Sequence, residues 1–564
     1  MSTDGTVIDK ESGAAELVHL LEAWGVRHIF TCPGSTEAAF LKAASASEDI
    51  ELILTTHEAI AVSMADGRSR VAGSPSIAYL HTNVGLTNGL SYLFAAKLAH
   101  SPVVVLNGLK STAIQNRGGF TTTEHMRDFV RQYVKSDWQV LSPTAVLEDV
   151  NRALKISTTE PQGPTWVGLS QDLLEAPVPR ARPNAERSRV PGRTRPARQL
   201  IEEAARVLSA GTRVLIVAGA EARTPEDVEE LRILAEILDA AVVEEDRRTA
   251  ERLVFPTNHR SYAGRYSIGR QSVSSADVVF LAGARSFIEF EPVANPDLPA
   301  NATFIHLYPD PAELGKLYGT DIPLAGTVAE TLHELNEILR ASAQAPARST
   351  AHLEAAVEEN ARLTATTLER PPSATADAGE VLSVREVMRS LPGTVPSGVT
   401  VIADAITSNG LVFLAAEQME DVRVLASASG SLGWGVGAAL GAQLGDPNRR
   451  VLAVLGDGGF QFGLPGLWTA ARYDIPTIFL VINNQSYAAV GAAVRRFAGT
   501  LTDDERASFV DLSETDLAAV ANGFGIPGVR ARTLSELSEA LREAFERRGP
   551  SVIEVMTDPV DLGP

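Results

Sequence analysis

Two polar motifs in the last third of the sequence each follow an apolar run, and together they could hold a metal ion. Residues 451–455 are apolar and precede GDG at 456–458, and residues 477–482 are apolar and precede two asparagines. Twenty-four residues separate Gly458 from Asn483. Because the carboxyl ends of parallel strands meet at one edge of a sheet, we expect Asp457 and Asn484 to lie close together. Their oxygens are the ligands that Mg²⁺ prefers, and the ion can bridge to a diphosphate.

The glycines of this segment suit a second task, the binding of phosphate oxygens. Gly456, Gly458 and Gly459 carry no side chain, so backbone N–H groups at the start of the following helix can approach an anion closely. A GDG triplet alone is more often an ordinary turn. Because NN follows at this spacing and an apolar run precedes each motif, the pattern predicts a site for a metal-bound diphosphate.

These motifs resemble the GDG…NN signature of the thiamine-diphosphate enzyme family, which holds the diphosphate of its cofactor through a divalent ion. The resemblance implies thiamine diphosphate as the cofactor, with Mg²⁺ or Ca²⁺. It implies Asp457, Asn484 and the backbone carbonyl of Ser486 as metal ligands. The other cofactor-binding residues that it implies in these segments are Gly456, Gly458, Gly459 and Tyr487, with Thr407 and Ser408 in a stretch (404–408) that matches the family only in part.

A glutamate near the amino terminus matches the residue that activates the cofactor in this family. There, a glutamate from the first domain of a neighbouring subunit hydrogen-bonds the aminopyrimidine ring and promotes loss of the C2 proton. The sequence THEA at 56–59, which follows an apolar run and precedes MADG at 64–67, makes Glu58 the matching residue. By itself, a glutamate in the first turn of a helix is usually a favourable partner of the helix dipole. Its occurrence together with the GDG…NN motif predicts a catalytic role.

The glycine-rich segment ASGSLG at 428–433 is a third element of the resemblance. The family likeness makes Leu432 the bulky residue that supports the V-shaped cofactor. It also makes the carbonyl of Gly430 the acceptor for the 4′-amino group. A glycine-rich turn before a packed helix explains the glycines equally well, so the residues alone leave both interpretations open.

Within the family, the sequence is similar to the benzoylformate decarboxylases over essentially its whole length. This likeness is carried by PGS at 33–35, LH at 80–81, FPTNH at 255–259, LWTAA at 467–471 and IPTIF at 475–479. In those decarboxylases a serine contacts the substrate carboxylate and two histidines move protons, which implies Ser35, His81 and His259. Histidine suits proton transfer because it ordinarily titrates near neutrality. Taken singly, either histidine could instead cap a helix or lie in a surface loop.

Two departures from the benzoylformate decarboxylases bear on the substrate. Val490 and Ala493 are smaller than the apolar residues at the matching positions of those enzymes, so we expect a wider or differently shaped pocket. The stretch 115–120 has no good counterpart there, and its glycines predict a mobile loop at the site. The sequence therefore defines the substrate less well than the cofactor.

Alternating strand and helix patterns position these residues. Apolar runs separated by longer amphipathic stretches predict parallel sheets with helices on both faces; the runs are 27–30, 51–54, 76–80, 102–106, 214–217, 241–244, 278–282, 303–307, 399–402, 451–455, 477–482 and 551–555. We therefore predict an α/β protein of three doubly wound parallel-sheet domains, of which the outer two share size and pattern. The domains are a pyrimidine-binding domain (1–178), a middle domain (199–341) and a diphosphate- and metal-binding domain (383–564). The linkers are 179–198 and 342–382, and the second contains one helical stretch.

The bulk properties exclude several other classes of protein. A chain of 564 residues is too long for one hydrophobic core. Its formal charge of −20 argues against a nucleic-acid partner, and no apolar run is long enough to cross a bilayer. The amino-terminal residues show no secretory signal, and the single cysteine, Cys32, cannot form an intrachain disulfide. These features predict a cytoplasmic enzyme.

We interpret the sequence as a lyase that decarboxylates an aromatic or bulky 2-oxo acid to an aldehyde and CO₂. The first alternative is a carboligase of the acetolactate synthase type, which joins the same donor to an aldehyde or ketone acceptor. The second is a non-catalytic paralogue that binds the cofactor. Because active sites of this family are shared between subunits, the resemblance implies a homo-oligomer, a dimer of dimers. The sequence leaves open whether FAD, which some relatives use structurally, is bound too, and we expect none.

Overall fold

The computed structural model describes residues 12–178, 183–246, 251–285, 298–342, 350–369 and 381–558. The amino-terminal residues that were searched for a secretory signal lie outside these ranges, as do parts of both predicted linkers. The described chain forms three six-stranded parallel sheets with flanking helices, which confirms the predicted α/β class. Within these ranges, no helix is both long and apolar enough to cross a membrane.

The first domain pairs its strands in the order β2-β1-β3-β4-β6-β5. The strands are β1 (His28–Cys32), β2 (Glu51–Leu54), β3 (Ser76–His81), β4 (Val103–Leu109), β5 (Ser136–Gln139) and β6 (Thr165–Ser170). The helices are α1 (Gly13–Ala23), α2 (Ala38–Ala44), α3 (Glu58–Ala72), α4 (Thr82–Leu98), α5 (Met126–Val130), α6 (Ala145–Thr158) and α7 (Gln171–Glu175), with 3₁₀ turns at Ser35–Glu37 and Gln115–Arg117. Strands β3 and β4 are almost completely buried, so they read as apolar runs rather than as alternating patterns. Strand β6 is equally buried, but it was not among the predicted runs.

The middle domain has a different strand order, β12-β11-β10-β7-β8-β9, which is the dinucleotide-binding order of doubly wound sheets. The strands are β7 (Val214–Ala218), β8 (Ala241–Glu244), β9 (Tyr262–Arg265), β10 (Val278–Ala282), β11 (Thr303–Tyr308) and β12 (Ile322–Ala325). The helices are α8 (Ala185–Ser188) in the first linker, then α9 (Arg198–Ala210), α10 (Pro225–Leu238), α11 (Gln271–Ser274), α12 (Val328–Ala341) and α13 (Ala351–Glu369). The helical stretch of the second linker, α13, is anchored to this domain because Glu359 accepts hydrogen bonds from the backbone N–H groups of Gln271 and Ser272.

The third domain repeats the topology of the first, with the order β14-β13-β15-β16-β18-β17. The strands are β13 (Thr400–Asp404), β14 (Arg423–Ala426), β15 (Val451–Gly456), β16 (Thr477–Asn483), β17 (Gly528–Ala531) and β18 (Ser551–Met556). The helices are α14 (Val384–Ser390), α15 (Asn409–Ala416), α16 (Trp434–Gly445), α17 (Asp457–Phe462), α18 (Pro465–Arg472), α19 (Ala488–Ala498), α20 (Asp503–Phe509), α21 (Leu517–Gly523) and α22 (Leu534–Glu546), with 3₁₀ turns at Leu391–Gly393 and Ile406–Ser408.

The first and third domains meet through equivalent helices, α3 and α16. Glycines of α16 face the backbone of α3 so closely that a Cβ on Gly441 would lie 1.9 Å from the Met64 carbonyl oxygen. In the other direction, a Cβ on Gly67 of α3 would lie 2.1 Å from the Ala438 carbonyl oxygen. Glycine permits this approach because it has no side chain. The glycine-rich sequence of α16 therefore serves the packing of the two domains.

Candidate active site

A cavity of about 260 Å³ lies at the carboxyl edge of the third sheet. Its walls come from the ends of β13, β15 and β16, from the segment 428–433 and from the start of α19. Eleven residues that the sequence associates with the cofactor line this one cavity: Thr407, Ser408, Gly430, Leu432, Gly456, Asp457, Gly458, Gly459, Asn484, Ser486 and Tyr487. The edge is the place where doubly wound sheets bind ligands, because the strand ends and following loops leave a crevice there.

The GDG and NN motifs meet in this cavity. One carboxylate oxygen of Asp457 accepts a hydrogen bond from the Ser486 backbone N–H at 3.1 Å, and the other accepts one from Gly458 N–H at 2.8 Å. The side-chain oxygen of Asn484 accepts from the same Ser486 N–H at 3.0 Å. Two hard oxygen donors therefore converge beside Ser486, carried by the ends of two neighbouring strands.

The burial of Asp457 makes this donor set suitable for a cation. Asp457 is 5% exposed, and burial raises the pKa of its carboxyl to about 6. The groups that oppose this rise are backbone N–H donors, not a cationic side chain. A buried carboxylate balanced only by N–H groups retains charge that a divalent ion can neutralise. Nowhere in the described residues, this cavity included, are three His, Cys, Asp or Glu side chains grouped to hold a metal ion, so the donor set here depends on amide and carbonyl oxygens as well.

A second buried acid, Asp404, lines the cavity, and the sequence analysis did not assign it a role. It is 1% exposed, and one of its oxygens accepts a hydrogen bond from Gly435 N–H at 2.9 Å. Its other oxygen, Oδ1, has no hydrogen-bond partner, and burial raises the pKa of the carboxyl to about 6. The one signal in the sequence is an acid at the carboxyl end of an apolar run, where ligand-binding residues of such sheets collect.

The segment 428–433 is held by the first domain of the same chain. Tyr92 donates its hydroxyl to the carbonyl of Leu432 at 2.6 Å, and Ser91 donates to the hydroxyl of Ser431 at 3.0 Å. Gly430 has a φ of +65°, in the left-handed region that favours glycine. These contacts fix the position of Leu432 in the wall of the cavity.

Three other residues beside the candidate site have backbone strain. Ile406, in the cavity wall, has a φ of +38°, Gln485 between the NN motif and Ser486 has a φ of +53°, and Thr82 after His81 has a φ of +46°. Positive φ is costly for residues other than glycine, and most costly for β-branched ones such as isoleucine and threonine. Strain of this kind collects at functional sites, where the surrounding structure must hold it in place.

Glu58 lies at the carboxyl edge of the first sheet, as the first residue of α3. The Asn88 amide donates a hydrogen bond to its carboxylate at 3.0 Å. Burial first, and then the charge of Glu58, raise the pKa of the nearby Cys32 thiol to about 11. His57 caps α3, since its Nδ1 accepts from Ala59 N–H. The Asn88 side chain thus holds the Glu58 carboxylate at the start of the helix.

Ser35 and His81 lie at the same edge of the first sheet. Ser35 begins the 3₁₀ turn after β1 and is exposed, whereas His81 ends β3 and is partly buried. The imidazole Nδ1 of His81 is 3.0 Å from a carboxylate oxygen of Glu37, a fully buried residue. The sequence analysis missed Glu37, although it stands two positions after Ser35. The structure thus places Glu58, Ser35 and His81 on one edge.

The predicted loop 115–120 starts from this edge as well. The side-chain amide of Gln115 donates hydrogen bonds to the Lys110 carbonyl at 2.7 Å and to the Ser170 hydroxyl at 2.6 Å. Phe120, at the other end of the stretch, is 86% exposed. The loop is therefore anchored at its first residue and presents an aromatic side chain to the outside of the chain.

His259 is not brought together with the other predicted residues in this chain. It lies just before β9, at the amino edge of the middle sheet, opposite the edge at which such sheets bind ligands. Its Nδ1 accepts from Ser261 N–H at 3.1 Å, its Nε2 is 3.3 Å from Glu236, and its ring packs edge-on against Phe255. Both ring nitrogens are thus engaged within the middle domain.

The cavity walls within one chain do not include Glu58, Ser35 or His81. The first domain contacts the segment 428–433 through Ser91 and Tyr92. The edge of its sheet that carries the predicted acid and histidine lies outside this cavity. One chain therefore carries two separate groups of predicted site residues, here termed half-sites: the cavity of the third domain and the acid and histidine edge of the first.

Comparison with known proteins identifies the class to which this fold and cavity belong. The thiamine pyrophosphate enzyme models match three successive segments: the N-terminal TPP binding domain at residues 11–128, the central domain at 201–335 and the C-terminal TPP binding domain at 410–555. The chain belongs to the thiamine pyrophosphate enzyme family.

Individual relatives have two kinds of activity. A benzoylformate decarboxylase of Pseudomonas aeruginosa is 28% identical, over 96% of this chain and 98% of that protein. A probable acetolactate synthase large subunit of Methanocaldococcus jannaschii is 26% identical, over 98% and 93%. Among solved structures, the thiamine diphosphate-dependent 4-hydroxybenzoylformate decarboxylase of Rhodococcus jostii RHA1 is 25% identical, with a TM-score of 0.83 over 98% of this chain and 100% of that one.

Proposed function

We propose that this protein decarboxylates an aromatic or otherwise bulky 2-oxo acid, without oxidation, to an aldehyde and CO₂. The observation that carries the proposal is the single cavity formed by eleven predicted cofactor residues, in a chain that also has Glu58 and His81 on one sheet edge. When bound, thiamine diphosphate supplies a nucleophilic carbon and accepts the electron pair that CO₂ leaves behind. The similarity to two benzoylformate-type decarboxylases supports the choice of substrate class.

In this proposal, the third domain binds the diphosphate through Mg²⁺ or Ca²⁺. Asp457 and the side-chain oxygen of Asn484 provide two hard ligands, and the carbonyl of Ser486 provides a third. Gly458 and Gly459 lie at the start of α17, where the glycine backbone leaves room for phosphate oxygens; the Gly458 N–H itself donates to Asp457. Leu432 and the Gly430 carbonyl support and orient the rest of the cofactor. Among these ligands, Asp457 gains most from the ion, because its buried negative charge has no cationic partner in the chain.

The first domain then supplies the proton chemistry. Glu58, held by Asn88 and the helix end, shares a proton with the aminopyrimidine ring. Ser35, exposed at the same edge, contacts the substrate carboxylate. His81 delivers the proton that replaces CO₂ on the substrate carbon, because histidine is the side chain most often used as a general acid or base. The role predicted for His259 stays a prediction, since its nitrogens are engaged elsewhere.

The two half-sites of one chain support a shared active site. Because the cavity walls lack Glu58, Ser35 and His81, we propose that the first domain of one subunit completes the cavity of another. This requires at least a dimer, and we propose a dimer of dimers. Sedimentation of the purified protein tests this assembly, and an active monomer would contradict it.

We propose thiamine diphosphate and its metal as the cofactors, with no FAD. The carboxyl edge of the middle sheet, where a dinucleotide would bind, holds Glu221. Burial opposes its ionisation, but Arg223 and then His100 hold the pKa of this carboxyl below its usual range. An ionised acid already paired within the chain offers no positive charge to a flavin diphosphate. A visible absorption spectrum tests this point, and a flavin band would contradict it.

Carboligation is the second candidate function. Ala489 and Val490 lie in the cavity wall, and their small side chains leave room for an aldehyde or ketone acceptor. The similarity to a probable acetolactate synthase favours the same outcome. In this case the reaction would join the decarboxylated donor to an acceptor and give a 2-hydroxy ketone or 2-hydroxy acid.

One experiment separates these functions. The holoenzyme is incubated with 2-oxo acids of graded side-chain size, with and without added aldehyde, and CO₂ and products are identified by mass. Aldehyde release without an acceptor supports the decarboxylase, whereas product formed only with an acceptor supports the carboligase. Absence of CO₂ across the series, in protein that retains the cofactor, would support the non-catalytic paralogue. None of these outcomes bears on the cytoplasmic location, which stays a prediction.

A further inference from the structure

A fully buried acid lies directly behind His81 in the first domain. Glu37 is 0% exposed, and its two carboxylate oxygens lie 3.0 and 3.2 Å from Nδ1 of His81. The backbone N–H of Gly34 donates to the same carboxylate at 2.6 Å. Burying a carboxylate is costly unless its oxygens find donors. The His81 ring is therefore one of the groups that makes the burial of Glu37 tolerable.

The hydrogen-bond partners determine where the His81 ring carries its proton. Thr36 donates its one hydroxyl hydrogen to Glu37, so its oxygen, 3.0 Å from Nδ1 of His81, can only accept. A carboxylate at Glu37 also only accepts. All three oxygens around Nδ1 are thus acceptors, and Nδ1 must hold a hydrogen. In the neutral ring, the lone pair is then on Nε2.

Two glycines on different elements leave the space that this arrangement needs. A Cβ on Gly108, in β4, would lie 1.7 Å from a carboxylate oxygen of Glu37. A Cβ on Gly34, after β1, would lie 2.4 Å from Nδ1 of His81. Any other residue at either position would displace the acid or the ring. The backbone of the first sheet is therefore shaped around the Glu37 and His81 pair.

The edge of the His81 ring that carries Nε2 is not enclosed by these residues. The His81 side chain keeps 21% of its surface exposed, although Nδ1 is enclosed. Among the residues that the structure describes, no hydrogen bond to Nε2 is found. Nε2 is thus the atom that can meet a substrate.

We propose that Glu37 is a positioning residue, which keeps a hydrogen on Nδ1 of His81 and directs Nε2 to the reacting carbon. Nε2 takes up a second proton from solvent and gives it to that carbon, which returns the ring to its neutral Nδ1–H form. The inference rests on the proposed function, because it assumes that His81 handles a substrate proton. A carboxylate behind a histidine selects the tautomer and orients the ring, as in metal sites and in hydrolase triads. Without it, either nitrogen could carry the proton and the ring could turn away.

The first test reads the tautomer directly and needs no substrate. The protein contains 10 histidines, so the ¹⁵N signals of His81 in labelled holoenzyme are identified by their loss in His81→Ala. With the ring neutral, we expect a protonated nitrogen at Nδ1 and an unprotonated one at Nε2. The opposite assignment would overturn the proposal even if the enzyme were fully active. The expected assignment would stand even if no substrate were found, which separates this test from that of the function.

The second test asks whether Glu37 acts through His81. Glu37→Gln should lower kcat about 10- to 10³-fold while thiamine diphosphate binding is unchanged, because Gln can donate to Nδ1 and stabilise the other tautomer. The double variant with His81→Ala should be no slower than His81→Ala alone, because residues that act as a unit are not additive. Losses that multiply would contradict the proposal.

A matched control comes from the middle domain. Glu230 accepts from the ring of His333 at 2.9 Å, so Glu230→Gln breaks the same kind of pair away from both half-sites. We expect its kcat to be unchanged. If Glu37→Gln does not fold, Thr36→Val removes a different acceptor at Nδ1 and should lower kcat less than His81→Ala does. The proposal would be overturned if Thr36→Val kept the wild-type kcat and the wild-type tautomer of His81, and if Glu37→Asp also kept the wild-type kcat.

Discussion

The carboxylate of Asp457 accepts a hydrogen bond from the backbone N–H of Ser486, across the gap between two neighbouring strands. Asn484 accepts from the same N–H group, so one backbone donor lies beside both predicted side-chain ligands. The shared donor brings the oxygens of the two side chains near one another. The metal site of the proposal is thus largely preorganised by the backbone.

Asp457→Asn should abolish the Mg²⁺-dependent binding of thiamine diphosphate. The substitution removes the one charged ligand, and the diphosphate then meets uncompensated negative charge. Calorimetry with and without Mg²⁺ measures the effect. Glu546→Gln is the control, because it removes one exposed negative charge from the same domain. Retained Mg²⁺-dependent binding in Asp457→Asn would show that the metal is held elsewhere.

In the absence of metal, Asp457→Asn should stabilise the folded protein at pH values above about 6 and have little effect near pH 4. Because burial raises the pKa of Asp457 from 3.8 to about 6, the folded state binds this proton more tightly than the unfolded chain does. The metal-free protein therefore gains stability as pH falls from about 6 to about 4. Above pH 6 the buried carboxylate is ionised and destabilises the folded state by its full amount. Two pKa units correspond to ~3 kcal/mol, the upper bound of the gain at pH 8. Unfolding in EDTA at pH 8 and at pH 4 measures it, and equal gains at both pH values would refute this explanation.

Glu58→Gln should bind the cofactor almost normally and yet activate it poorly. A Gln amide cannot share a proton with the aminopyrimidine ring, and a positioned acid or base usually contributes about 10²- to 10⁴-fold. Hydrogen–deuterium exchange at C2 of the bound cofactor, followed by NMR, measures activation without a substrate. Glu51→Gln, at an exposed glutamate of the same domain, is the control. Wild-type exchange in Glu58→Gln would remove Glu58 from the mechanism.

His81→Ala and His259→Ala should differ strongly. The first should lower turnover about 10²- to 10⁴-fold without loss of cofactor, because His81 presents Nε2 at the polar edge of the first sheet. The second should change turnover only a few-fold at most, because both nitrogens of His259 are engaged in the middle domain. Turnover with the best 2-oxo acid found provides the comparison. A large loss in His259→Ala would restore the role that the sequence suggests for it.

Gly441→Ala should destabilise the contact between the first and third domains. The added methyl group would lie 1.9 Å from the Met64 carbonyl oxygen, so α3 and α16 must separate at a cost of about 1–3 kcal/mol. Gly523→Ala in α21 is the control, because its Cβ would meet nothing within 4 Å and alanine favours helix by up to about 1 kcal/mol. Thermal unfolding should therefore shift down in the first variant and not in the second.

The interior strands were predicted except β6, whereas the edge strands were missed except β2. Strands β4 and β16 are buried along their whole length, and burial on both faces requires an apolar run that is visible in the sequence. Strand β5 has the sequence SDWQ and is only partly buried, and β17 is partly exposed at the edge of the third sheet. An edge strand needs few apolar residues, so the apolar pattern does not reveal it.

The sequence by itself determined the three α/β domains, the cofactor class and a set of residues that line one cavity of the third domain, because these depend on local motifs at the ends of buried strands. Only the tertiary structure decided which side chains meet. It placed Glu37 beneath His81 in the space left by Gly108 of another strand. It also placed His259 at the amino edge of the middle sheet, away from the other predicted residues. Such neighbours are set by strand order and by the close approach of backbones, and these come from packing over the whole chain rather than from the spacing of any motif.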